Sequence, residues 1–155
     1  MNLRLQFAVL AITLTAQSWA SDLPDFNITP GAVDPFITQE NIQSTICIKG
    51  YTKNVRPPAS YTNKLKKRQI REYGYADTNP KHYEENHLIP LEIGGNPRDL
   101  KNLWPEPRNS EWNAKKKDKL ENSLHRMVCG GEIQLRDTQA EIAHDWIATY
   151  RKYVQ

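Results

Sequence analysis

The stretch Glu84-Glu85-Asn86-His87-Leu88-Ile89-Pro90-Leu91-Glu92-Ile93-Gly94-Gly95 gathers the side chains best able to do chemistry. An imidazole with an ordinary pKa of about 6.5 can take a proton from water at neutral pH, which makes His87 a candidate general base. Three carboxylates, Glu84, Glu85 and Glu92, stand around it with the amide Asn86, and oxygens of both kinds suit hard cations. Two further amides follow: Asn102, in Asn102-Leu103-Trp104, and Asn113. A lone histidine is more often structural. Here His-x-x-Pro, Gly-Gly, Asn-Leu and a capped helix with an amide near its start coincide.

These residues need elements to position them. His82 to Leu91 has no helical period and runs into Pro90 and Gly94-Gly95, so it reads as a strand leading into a loop. Asn102 to Trp104 is a second extended segment, closed by Pro105 and Pro107. A helix follows, with Ser110 as its N-cap, a stripe at Lys116, Leu120, Leu124 and Val128, and Gly130-Gly131 as its stop. Strand, Gly-Gly loop, strand, helix over about 83–128 resembles the ββα-metal finger of the HNH endonucleases.

That resemblance implies an α+β fold, a finger embedded in a small, mainly helical single domain. It implies a metal-dependent endonuclease cutting DNA, with RNA as a second substrate, leaving a 5′ phosphate and a 3′ hydroxyl. By position His87 is the base, Asn102 organises the loop that orients it, and Asn113 is the helix-borne ligand of one divalent ion, Mg²⁺ first and Mn²⁺ second. The residue before the base is normally Asp or His; here it is Asn86. An amide brings no negative charge to the ion. Glu84, which shares a strand face with Asn86, is the assisting carboxylate.

The rest of the chain fits an exported protein. Residues 1–20 carry Arg4, an apolar run from Phe7 to Leu14, and Ser18-Trp19-Ala20, the pattern of a cleaved signal peptide. Cleavage would leave a mature chain with no membrane span, bound for the periplasm or the medium and expected to be a monomer. In that setting the two cysteines, Cys47 and Cys129, read as one disulfide. Its loop of about 82 residues is worth about 4 kcal/mol on chain-entropy grounds. Cys47 to Thr52 also follows the Cys-x-x-Gly-Tyr-Thr start seen in small exported bacterial proteins of this type.

A net charge of +3 says little about partners, but its distribution says more. No acidic residue interrupts Lys53 to Arg71. Lys64, Lys66, Lys67 and Arg68 there, with Lys115, Lys116 and Lys117 farther on, are candidates for gripping a phosphate backbone without reading sequence. Residues 21–45 read as an irregular extension and 46–155 as the domain. Ile46 to Ile48 reads as a strand, Ser60 as the cap of a helix reaching Glu72, and Thr138 with Glu141 as the capping box of a final helix. Trp104 and Trp112 read as core more readily than as base-stacking platforms. His82, His125 and His144 match no motif position, and the spacing of His125 and Cys129 lacks the second cysteine pair that zinc would want. Two competing readings remain: a nucleic-acid-binding adaptor that keeps the finger without catalysis, and an envelope enzyme built on Glu92.

Overall fold

The structure is a computed structural model and describes residues 21–155; the expected signal peptide lies outside the described residues. The class is α+β. Two short antiparallel strands, β1 (Tyr83–His87) and β2 (Leu103–Pro107), form the sheet, with Glu84 opposite Glu106, Asn86 opposite Trp104 and His87 opposite Leu103. The helices are α1 (Tyr51–Val55), α2 (Ala59–Glu72), α3 (Ala114–Cys129), α4 (Leu135–His144) and α5 (Trp146–Tyr153). No helix among the described residues is long and apolar enough to cross a membrane.

The sheet is too small to bury its own faces, so helices cover both. On one side Tyr83 joins Ile70 of α2 and Tyr75 in a small cluster. On the other side Trp104 enters the main core with Leu120, Leu124 and Val128 of α3, Ile142 of α4, and Trp146 and Tyr150 of α5. Trp112 meets Trp146 and Tyr150 edge-on, so both candidate stacking tryptophans are core residues. The extension before Ile46 wraps this core. Asp22 accepts from the Trp146 indole, Thr29 donates to the Leu103 carbonyl, and Val33 bridges to Gly95.

Four local expectations are corrected. Ile46 to Ile48 is not a strand but a turn that delivers Cys47 to Cys129, with which it forms a disulfide. Helix α2 begins at Ala59 behind Pro58, whose fixed φ starts a helix without a side-chain cap, so Ser60 lies inside it. Helix α3 begins later than expected. Asn113 caps it through Oδ1, accepting from Lys115 N and Lys116 N, while Ser110 supplies only a carbonyl to the Asn113 amide. The final helix is two helices, because Asp145 is extended (φ −160°, ψ 97°) and its carboxylate caps a new start at Ile147 N and Ala148 N. Thr138 therefore sits within α4, its hydroxyl donating to the Gln134 carbonyl.

Candidate functional site

The loop between the strands is clasped by one side chain. Asn102 is fully buried; its Oδ1 accepts from Ile89 N at 2.9 Å and its Nδ2 donates to the carbonyls of Ile89 and Asn96, each at 3.0 Å. Both ends of the loop thus hang on the residue that precedes β2. The Gly-Gly pair makes the close approach possible. Gly94 has φ +76°, and a Cβ on Gly95 would lie 1.8 Å from the Ile89 carbonyl oxygen.

This loop brings the Pro97 carbonyl to His87. The ring's Nε2 lies 3.1 Å from that oxygen, which can only accept, so Nε2 carries the proton and Nδ1 keeps its lone pair. Among the described residues no group bonds Nδ1, and it is not one of the sealed, unpartnered polar atoms. Burial, with the charges of Arg56 and Lys117 adding to it, pushes the ring's pKa down to about 4. At neutral pH His87 is therefore a neutral, oriented base.

The residues expected to hold a divalent ion are each engaged elsewhere. Asn86 Oδ1 accepts from His87 N at 2.8 Å and its Nδ2 donates to Glu106 Oε2 at 2.6 Å. Asn113 Oδ1 caps α3. Glu84 does share its strand face with Asn86, but it forms an ion pair with Arg108 at 3.1 Å. As placed, this donor set does not fit a divalent ion, since hard cations need several free oxygens converging on one point.

A different cation lies beside it. Lys117, a candidate phosphate grip from its sequence, is wholly buried, its Nζ 2.6 Å from the His87 carbonyl oxygen and 2.6 Å from Glu121 Oε1. It cannot reach a polyanion. Glu106, behind Asn86, is fully buried, and desolvation pushes its pKa up to about 8 against the opposing pull of Lys117. Glu85, on the α2 side, is raised to about 8 by the same cause, with both oxygens sealed and unpartnered. Glu106 and Glu121 escaped the sequence reading. The one available sign was the four-residue spacing of Lys117 and Glu121, which places an ion pair on one helix face.

The remaining basic candidates divide. Lys66 turns inward, donating to the Tyr83 carbonyl at 3.1 Å. Lys64 and Arg68 line a groove of about 510 Å³ on α2 with Tyr61, Leu65, Arg71 and Leu100, and the Arg98 guanidinium sits 5.3 Å from the centre of the Tyr61 ring. Lys67 lines a second hollow with Arg71 and Thr78. Lys115 is exposed, whereas Lys116 lies over the Trp112 ring at 4.2 Å. Another hollow of about 500 Å³, between α4 and α5, holds none of the candidate residues.

His125 approaches the disulfide. One ring nitrogen and the sulfurs of Cys47 and Cys129 lie within 4.8 Å of one another, but the sulfurs are bonded together and the ring's Nε2 is 3.0 Å from the Ile46 carbonyl. Compared with known proteins, the chain matches no family model, no curated protein and no solved structure.

Proposed function

We propose that the chain is an exported nuclease that hydrolyses nucleic-acid phosphodiesters with His87 as general base. The observation that carries this is the bond from His87 Nε2 to the Pro97 carbonyl, which leaves Nδ1 unprotonated. Nδ1 takes a proton from water, and the resulting hydroxide oxygen attacks phosphorus. The bond from phosphorus to the 3′ oxygen breaks, and that oxygen takes a proton from solvent. The products are a 5′ phosphate and a 3′ hydroxyl. The groove along α2, with Lys64, Arg68, Arg71 and the Tyr61 ring, offers cations for backbone phosphates and one aromatic face for a base. DNA is the first substrate, RNA the second, and the acting form is the monomer. The disulfide suits an oxidising compartment.

One observation favours the adaptor reading instead: Asn86, Asn113 and Glu84 are all occupied by protein partners. A finger in that state could bind nucleic acid without cutting it.

The test incubates oxidised mature protein with supercoiled plasmid and with RNA, in Mg²⁺, in Mn²⁺ and in chelator. His87→Ala runs beside it. A positioned base contributes about 10²- to 10⁴-fold, so the variant should lose that much rate while keeping its circular dichroism and its binding. In the wild type the acid limb of the pH–rate profile should lie near 4, the ring's depressed pKa, and not near 6.5. Full activity in a folded His87→Ala protein ends the base assignment. Binding without cleavage in every condition establishes the adaptor.

A further inference from the structure

Neutralising charge is the first task of a cation in such a pocket, and here a side chain already does it. Lys117 extends from α3 to the end of β1, with its aliphatic stem buried and its ammonium shared between the His87 carbonyl and the Glu121 carboxylate. Glu106 is the other buried carboxyl on which this charge acts. An ammonium within 2.6 Å of two oxygens occupies the place from which those oxygens could reach a second cation, and repels one that approaches. Asn86 in place of an acid is consistent with that arrangement. With Lys117 present, an uncharged amide links the His87 backbone to Glu106 Oε2 without surplus charge, while Glu106 Oε1 stays sealed without a partner.

We infer that Lys117 is a tethered resident cation: its ammonium fills the position between β1 and α3 that a divalent ion would take, and it positions His87 through the backbone carbonyl. The inference rests on the same finger as the proposed activity, but it is read by metal occupancy, which needs no cleavage.

The experiment titrates Mn²⁺ into the oxidised mature protein and counts free ion by electron paramagnetic resonance, up to about 1 mM, the weak end of natural hard-cation sites. Wild type should take up no stoichiometric Mn²⁺. Asn86→Asp separates an under-charged site from a filled one. A site lacking only charge would gain one Mn²⁺ per chain in this variant, whereas a site filled by Lys117 gains none. Lys117→Ala should then uncover Glu121, Glu106 and the His87 carbonyl, so that stoichiometric Mn²⁺ binding appears and Mn²⁺ raises the thermal midpoint. If Lys117→Ala does not fold without metal, the Asn86→Asp result carries the test. One Mn²⁺ bound by wild type or by Asn86→Asp overturns the inference, and so does a folded Lys117→Ala, Asn86→Asp double variant that binds none. Failure of the nuclease reading looks different: no cleavage of either nucleic acid, whatever the Mn²⁺ count.

Discussion

The two faces of the small sheet bury carboxyls in opposite ways. Toward α3, Glu106 Oε2 accepts from Asn86, Glu121 holds the Lys117 ammonium, and Lys117 also holds the His87 carbonyl, so charge and hydrogen bonds close on themselves except at Glu106 Oε1, which is sealed without a partner. Toward α2, Glu85 has both oxygens sealed without a partner, and Lys66, the cation that lowers its pKa most, donates its hydrogen bond to the Tyr83 carbonyl instead. A network in which every member depends on the others is costly to break, whereas an unpartnered group is costly to keep. The α3 face should therefore carry stability and hold His87, and the α2 face should store strain that an apolar residue could release.

Lys117→Met gives the largest expected effect. It keeps the buried stem but removes the charge, leaving Glu121 unpaired and the His87 carbonyl without its donor. Breaking a buried pair by removing one partner costs about 3–5 kcal/mol, which urea unfolding would register as a lower midpoint. A cost below about 1 kcal/mol would mean that the α3 face is no network. Lys66→Met, on the other face and partly exposed, should cost no more than one ordinary hydrogen bond, about 1 kcal/mol.

Glu106→Leu comes next. It strands the buried Asn86 amide, and an orphaned buried donor costs about 1–3 kcal/mol. The same urea measurement should show Asn86→Leu, Glu106→Leu costing less than the sum of the two single changes, since neither half is then left unsatisfied. Strict additivity would separate Asn86 from Glu106 energetically.

How far this contrast could be read beforehand depends on the range of the interactions. The Gly-Gly loop, the extended segments around His87 and Leu103, and Asn102 as the loop's clasp rest on turn chemistry and nearby residues, and those parts of the pattern were visible. Lys117 was not. It lies one residue past Lys116, which the four-residue stripe picks out, and α3 buries Lys117 with Leu120, Leu124 and Val128 instead. Its charge argues for the surface, and although Glu121 is its neighbour on the same helix face, only the tertiary placement of the end of β1 against α3 reverses that. The position of Glu106 behind Asn86 likewise follows from strand register, which is set across a long loop that propensities do not fix. Asn113 shows the converse: the amide oxygen that suits coordination is also the best available cap, and it caps the first turn of α3.

On the α2 face the substitution should work in reverse. Glu85→Leu removes two unpartnered oxygens and adds apolar surface next to Pro105, its partner across the sheet. Replacing a buried carboxyl that has no hydrogen-bond partner by a hydrophobe is neutral or stabilising, and a gain of about 1 kcal/mol is expected in urea unfolding. A loss of that size would show that Lys66 compensates Glu85 after all.

The dependence of stability on pH is a slope and not a single cost, and here the sign separates the groups. Glu85 and Glu106 have folded pKa values raised from 4.5 to about 8, so the unfolded chain releases their protons first. Their contribution is complete below about 4.5 and is lost as pH rises toward about 8. His87 runs the other way: its folded pKa is depressed from 6.5 to about 4, so its contribution is complete above about 6.5 and is lost as pH falls toward about 4. From about 4.5 to 6.5 the imidazole offsets part of the carboxyl slope. From about 6.5 to 8 the carboxyls act alone, and the unfolding free energy should fall with rising pH, by no more than about 1.4 kcal/mol per unit for each carboxyl. Glu85→Gln and Glu106→Gln should each reduce the falling slope across about 4.5 to 8, whereas His87→Gln should act only across about 4 to 6.5, where it removes the offset. A wild-type curve that is flat between 6.5 and 8 would mean that both carboxyls are ionised in the folded protein, and the α2 face would then hold a charge that Lys66 must be balancing.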